Sequence, residues 1–151
     1  MPFKEHPDTK VRFESAVLAA KAILQLDLYP PHKRDLLKIC IWKITEANGK
    51  YKTRFRTRAS QLVECSKTLA HEHVFRMKFL IDDLIYAPSN ADSILERAVG
   101  CTVTRSEHEK LSALDRRLSD IDGWARYREA MIEVIDTATG KVHPLRGTKP
   151  L

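Results

Sequence analysis

Residues 50–58 read Lys-Tyr-Lys-Thr-Arg-Phe-Arg-Thr-Arg, and the conformation of this segment decides the fold class of the chain. Five basic residues alternate strictly with aromatic residues and threonines. In a β-strand successive side chains point to opposite faces, so all five cations would share one face. The alternation of β-forming residues favours a strand. Gly and Pro are absent from residues 50–87, however, so one long helix, with its cations spread around the axis, stays open.

The positive charge of the chain is concentrated around this segment. Residues 50–78 contain eight Lys or Arg against two acids, a surplus that equals the formal net charge of +6 of the whole chain. A basic excess confined to one stretch indicates an anionic partner, and nucleic acid is the commonest one. We therefore predict contacts with nucleic acid from Lys50, Lys52, Arg54, Arg56, Arg58 and Arg76.

The N-terminal third is predicted to form a helical hairpin. Apolar residues recur at steps of three and four over residues 9–28 and again over residues 32–48. Tyr29-Pro30-Pro31 is predicted to end the first helix, and Asn48-Gly49 is predicted to end the second.

Helices and short strands are predicted to follow the basic segment. Residues 74–87 have helical apolar spacing, and a short helix is predicted from Ser89 or Asn90 through Val99, ending at Gly100. Residues 101–103 are predicted to form a strand. The sequence Thr104-Arg105-Ser106-Glu107 has the spacing of a capping box, which opens a helix.

The C-terminal part is predicted to contain a helix and a β-hairpin. Residues 124–130 have helical composition, and residues 132–135 and 141–145 are predicted strands joined by a turn at Thr139-Gly140. The whole pattern predicts an α+β fold, helix-rich, in one domain over residues 1–151. Its parts would be the hairpin (1–49), the basic central region (50–114) and the C-terminal helix and hairpin (115–151).

Composition excludes several classes of protein. The chain has 151 residues, 43% of them hydrophobic and 30% charged, which is typical of one globular domain. Residues 1–10 carry no apolar run, and no stretch of eighteen apolar residues occurs, so we predict neither secretion nor a membrane span. The three cysteines are widely spaced and give no disulfide framework, which favours a cytoplasmic location.

The sequence also lacks the common motifs of nucleotide and hydrolase chemistry. It contains no phosphate-binding glycine loop, no dinucleotide fingerprint and no Gly-x-Ser-x-Gly elbow. Nucleotide-dependent and serine-hydrolase chemistry are therefore not expected.

Two acid–histidine pairs are the candidates for catalysis or metal binding. His71-Glu72-His73 follows the basic segment, and Glu107-His108 lies in the first turn of the helix that the capping box opens. On a strand His71 and His73 would point the same way, whereas on a helix they would diverge by about 200°.

These pairs resemble the HNH, or ββα-metal, family of endonucleases over about residues 68–114. In that family an Asp-His or Glu-His pair on a strand is followed by a helix whose histidine completes a divalent-metal site. The resemblance implies Glu72 and His108 as metal ligands and His73 as the general base that activates water. It also implies Mg²⁺, Mn²⁺ or Zn²⁺ as cofactor. Arg76 stands where the family often has proline, so an active enzyme and a degenerate relative are both open.

Three functions are compatible with the sequence. A metal-dependent endonuclease of the HNH type requires Glu72, His73 and His108 to converge. A non-enzymatic binding or inhibitor module needs only an exposed basic face that grips nucleic acid or an acidic protein partner, such as a toxin or a defence factor. A helical interaction module requires one long helix over residues 50–87.

Overall fold

The predicted N-terminal helical hairpin is present in the computed structural model, which describes residues 2–144. Helix α1 (Thr9–Gln25) packs against helix α2 (Pro30–Thr45). The two prolines begin α2 rather than only ending α1. Proline fits the first helical turn because the N–H group that it lacks would have no partner there. Both helices end three residues before the predicted positions, 28 and 48.

The chain then alternates between short strands and helices. In order, the further elements are β1 (Phe55–Thr57), α3 (Arg58–Gln61), β2 (Leu69–His73), α4 (Met77–Tyr86), α5 (Ala91–Leu95), β3 (Gly100–Thr104), α6 (Arg105–Arg117), α7 (Trp124–Glu129), β4 (Val134–Asp136) and β5 (Lys141–His143). Single 3₁₀ turns cover Ser66–Thr68 and Pro88–Asn90. Within residues 2–144 no helix is long and apolar enough to cross a membrane.

The strands form one mixed sheet in the order β2-β3-β1-β4-β5. β1 pairs parallel with β3, and the other three pairings are antiparallel. β2 and β5 are therefore the edges of the sheet. The predicted α+β fold is confirmed, and the alternative of one long helix over residues 50–87 is wrong.

The basic segment is a strand over only part of its predicted length. β1 covers Phe55–Thr57, while Tyr51 lies in a turn with φ of 59°, which interrupts the extended backbone. The strand ends at Thr57 because its hydroxyl accepts a hydrogen bond from the Ser60 N–H and caps α3. The cations of residues 50–58 therefore do not form one continuous face.

Gly100 begins a strand instead of ending a helix, which corrects the prediction. It pairs with His73 across β2 and β3. A Cβ atom at this position would lie 2.6 Å from Cε1 of His71 and 3.0 Å from the backbone oxygen of Thr45. Only glycine leaves room for this close approach of the β2 side chain to the β3 backbone.

The remaining secondary-structure predictions are confirmed with small shifts of their bounds. Both bonds of the capping box at Thr104 and Glu107 are present. Helix α4 begins at Met77 rather than at residue 74, because the Val74 N–H instead bonds to the Val99 carbonyl. β4 and β5 form the predicted terminal hairpin, and Leu145, the last residue of the predicted second strand, lies outside the described residues.

Two apolar cores hold these elements together. The first lies among α1, α2, α4 and α5, and the second lies between the sheet and helices α6 and α7. Phe75, two residues after the end of β2, packs against both cores. Strand β2 is therefore anchored between the two cores, and its side chains are held on defined faces.

Met131 should be a site where glycine stabilises the protein. It has φ of 58°, and the bonds from the Met131 N–H to Arg128 and from the Ile132 N–H to Tyr127 end α7 as a Schellman motif, which usually carries glycine here. We expect Met131→Gly to raise the free energy of unfolding by up to about 1 kcal/mol, because the left-handed backbone penalises side chains. Urea denaturation would measure this change.

Met131→Ala is the matched control for that substitution. The side chain is 89% exposed, so truncating it removes little packing while the strained backbone remains. Alanine should therefore leave the stability close to that of the native chain. Equal stabilisation by alanine and glycine would contradict the backbone explanation.

Candidate functional site

Strand β2 distributes the His71-Glu72-His73 cluster over both faces of the sheet. The rings of His71 and His73 face α2, where their centroids lie 5.1 Å and 4.5 Å from the Trp42 ring. Glu72 faces α6 and α7, where it meets His108 and Arg126. The cause is the alternation of side chains along a strand.

Glu72 and His108 form a close pair. Nδ1 of His108 lies 2.6 Å from Oε2 of Glu72. An ionised carboxylate only accepts hydrogen bonds, so Nδ1 carries a proton and, in the neutral ring, Nε2 is the proton acceptor. Glu72 is 8% exposed, whereas the His108 side chain is 48% exposed. The pair thus has a buried orienting carboxylate and an accessible imidazole.

Arg126 fixes the other side of Glu72. Arg126 is only 1% exposed. Its guanidinium donates one hydrogen bond of 3.1 Å to Oε1 of Glu72 and two of 2.8 Å to the carboxylate of Asp115. It also donates to the carbonyls of His73 and Val74 at 2.8 and 3.0 Å. One buried cation therefore joins β2, α6 and α7.

The charge of Arg126 is maintained despite its burial. Burial alone would lower the pKa of the guanidinium. The hydrogen bond with Asp115 and the negative charge of Glu72 outweigh that effect and raise the pKa above its ordinary value. Arg126 is consequently a permanent cation behind Glu72.

The two histidines on the opposite face are held neutral. Nε2 of His71 lies 2.9 Å from the Thr45 hydroxyl, and burial lowers the pKa of His71 to about 4. Burial lowers the pKa of His73 to about 3, reinforced by repulsion from the Arg126 cation and, once it is protonated, from His71. Both ring nitrogens of His73 are buried and have no hydrogen-bond partner among the described residues. The structure thus brings Glu72 and His108 together and places His73 on the other face.

Most of the predicted nucleic-acid contacts are engaged within the fold. The ion pairs are Arg54–Asp136, Arg58–Glu133 and Arg76–Asp115. Arg56 is half-buried, its Nε has no partner among residues 2–144, and burial lowers its pKa. Lys50 and Lys52 are exposed and have no acidic partner in the described part of the chain. These two lysines are the cations of the predicted set most available to a partner.

The donor atoms do not fit the divalent metal that the HNH resemblance implies. Both carboxylate oxygens of Glu72 are occupied by N–H donors, one from Arg126 and one from His108. His73 cannot join them from the opposite face of the sheet. Over the described range 2–144, no three or more His, Cys, Asp or Glu side chains are grouped so that they could hold a metal ion.

A groove of about 320 Å³ opens beside His108 at the β2 edge of the sheet. Its lining, which we call the β2 groove, consists of Trp42, Glu46, Lys50, Tyr51, Leu69, Ala70, His71, Arg105 and His108. Lys50 and Arg105 are exposed, and neither has an acidic partner within the described residues. Tyr51 holds its left-handed backbone conformation here, with the Lys50 ammonium 5.1 Å from its ring centre. The groove combines cations, an aromatic ring and the accessible imidazole.

Sequence reasoning missed Arg126, Asp115 and Arg105 as parts of the site. A signal for Asp115 was present, because it follows Leu111 and Leu114 at helical spacing and so places an acid on the buried face of α6. Arg126 stands between Trp124 and Tyr127, but no local pattern distinguishes a buried arginine from an exposed one. Its partners lie 11 and 54 residues away.

The comparisons with known proteins give no relative for this site. No protein-family model matches the chain, and neither a curated protein nor a solved structure matches it. The resemblance to HNH endonucleases therefore stays a prediction that rests on the acid–histidine pairs. The β2 groove and the Glu72–His108 pair are the features of the structure that bear on function.

Proposed function

We propose that the protein binds nucleic acid in the β2 groove. The observation that carries this proposal is the meeting of two exposed cations, Lys50 and Arg105, with His108 around one opening. Glu46 is the acid among the lining residues, so the two cations exceed the acidic charge there. A phosphate would be attracted to this opening.

The predicted basic residues should contribute unequally to binding, because some of them already form ion pairs within the fold. Arg54 and Arg58 already pair with Asp136 and Glu133, so a phosphate would have to compete with carboxylates for them. Lys50 and Arg105 are free of such competition within the described residues. Lys50 and Arg105 should therefore contribute more to binding than Arg54 and Arg58.

Binding should depend on salt and on the groove cations. We expect a labelled single-stranded oligonucleotide, followed by fluorescence anisotropy, to bind more weakly as salt rises, because phosphate contacts release counterions. Lys50→Gln and Arg105→Gln should each weaken binding and reduce the slope of log affinity against log salt by about 0.7 per lost contact.

Lys141→Gln is the matched control for these substitutions. Lys141 is an exposed lysine on β5, at the opposite edge of the sheet from β2. It carries the same charge but lies away from the groove, so its loss should leave both affinity and slope unchanged. Absence of salt-dependent binding, or equal weakening by Lys141→Gln, would contradict the proposal.

A further inference from the structure

We infer that the Glu72–His108 pair makes the protein a metal-independent ribonuclease, in which His108 takes the proton of a ribose 2′-hydroxyl. The inference rests on the proposed function, since the β2 groove must first hold the strand. It goes beyond that function by naming RNA as the substrate. It also gives a catalytic role to Glu72 and His108, which the HNH resemblance would make metal ligands.

The geometry of the pair is that of an oriented general base. Glu72 accepts the Nδ1 proton of His108 at 2.6 Å, which leaves Nε2 as the proton acceptor. Arg126 holds the opposite oxygen of the same carboxylate, so Glu72 has little freedom to rotate. An imidazole oriented by a carboxylate, which is itself held by a third group, is a recurrent arrangement for proton transfer.

The accessibility of His108 distinguishes it from the other histidines of β2. Its side chain is 48% exposed and lines the groove. His71 also lines the groove, but its Nε2 is bonded to the Thr45 hydroxyl, and His73 is enclosed against Trp42. His108 is thus the imidazole of this region that a bound strand can reach.

The charges around the groove suit a reaction at phosphorus. Attack on a phosphodiester increases the negative charge on the non-bridging oxygens, and nearby cations stabilise that charge. Lys50 and Arg105 line the same groove as His108. Tyr51 offers an aromatic ring on which a base of a single strand could stack.

RNA is the substrate because it carries its own nucleophile. The residues of the site do not form a metal-ligand set that would activate water, as both oxygens of Glu72 are bonded to N–H groups. A ribose 2′-hydroxyl lies next to the phosphate that it attacks, so the site needs to supply a proton acceptor and cations. DNA has no such hydroxyl and should not be cut.

The reaction balances without a metal or an oxidant. Nε2 of His108 takes the proton of the 2′-hydroxyl, the bond from the 2′-oxygen to phosphorus forms, and the bond from phosphorus to the 5′-oxygen breaks. A solvent water protonates the leaving 5′-oxygen, and His108 returns its proton to the solvent. The products are a 2′,3′-cyclic phosphate and a free 5′-hydroxyl.

The test compares three oligonucleotides of one sequence, made of RNA, DNA and 2′-O-methyl RNA, with EDTA present. We expect the full chain to cut only the RNA and to leave 2′,3′-cyclic phosphate ends, identified by mass spectrometry. His108→Gln should reduce the cutting rate by at least about 100-fold, as expected for loss of a general base. This variant changes an exposed side chain, so it should fold, and circular dichroism would verify this. His32→Gln, an exposed histidine in the first turn of α2, should cut like the native chain.

The uncleavable 2′-O-methyl RNA separates the two proposals. If it binds but RNA is not cut, or is cut equally by His108→Gln, the inference is overturned while the binding proposal stands. A requirement for added Mg²⁺ or Mn²⁺, or equal cutting of DNA, would also overturn the inference. If none of the three strands binds, the proposed function itself fails.

Discussion

Replacing Arg126 by methionine is expected to lower the free energy of unfolding by about 3 kcal/mol, because two largely buried carboxylates would lose their closest permanent cation, and only His108 and the more distant Arg76 would still face them. The substitution would leave the carboxylates of Glu72 and Asp115 without their shared cation. It would also remove the donors that satisfy the carbonyls of His73 and Val74. Urea denaturation, monitored by circular dichroism, would measure the loss.

Arg128→Met is the matched control. Arg128 lies two residues further along the same helix, is exposed, and has no acidic partner in the described part of the chain. Methionine there should change the stability by less than about 0.5 kcal/mol. If Arg126→Met were as mild as Arg128→Met, Arg126 would not be the residue that joins β2, α6 and α7.

Acidification is the second change expected to destabilise the protein strongly, and the cause is protonation of His71 and His73. Their folded pKa values, about 4 and about 3, lie below the ordinary value near 6.5, chiefly because of burial. Above about pH 6.5 both imidazoles are neutral in the folded and in the unfolded state, and the protein has its full stability. As the pH falls below about 6.5 towards the folded pKa, only the unfolded state takes up protons, and the free energy of unfolding decreases. We expect each histidine to remove about 3 kcal/mol between pH 7 and pH 4.

His73→Phe tests this explanation with a ring that fills similar space and does not titrate. The free energy of unfolding of the native chain should fall steeply from pH 6.5 to pH 4.5, and that of His73→Phe should fall less. Measurement at pH 8, where both imidazoles are neutral, isolates the effect of packing. Equal pH slopes for the two proteins would contradict the assignment. The lowered pKa of Asp136, due chiefly to its hydrogen bond with Arg54, adds a separate loss at lower pH.

Local signals in the sequence were sufficient for several elements of the fold. The capping box at Thr104 and Glu107 places the start of α6 because its bonds join residues three apart. The terminal hairpin follows from alternation around Thr139-Gly140. Both elements are specified within a short stretch of chain.

The length of the strand in the basic segment could not be predicted from the local sequence. The alternation in this segment favoured a strand over nine residues and left a helix open, whereas pairing with β3 and β4 limits β1 to Phe55–Thr57. The pairing partners come from distant parts of the chain, so their extent was not readable in the segment itself. Asp136 and Glu133, which pair with Arg54 and Arg58, are likewise contributed by the C-terminal hairpin and the residue before it.

The candidate site was predictable in part. Glu72 and His108 stood out as members of the two acid–histidine pairs, and the structure brings them together. The side to which His73 points followed only once β2 was known to be a strand. The role of Arg126 depends on contacts with β2 and α6, which no local periodicity reveals.

NMR of the histidine rings during addition of 2′-O-methyl RNA tests directly whether nucleic acid binds in the β2 groove. The binding proposal predicts that the ring resonances of His108 shift in proportion to occupancy. Those of His143, on the opposite edge strand β5, should stay in place. Shifts centred on His143, with His108 unchanged at saturation, would contradict the β2 groove as the nucleic-acid site.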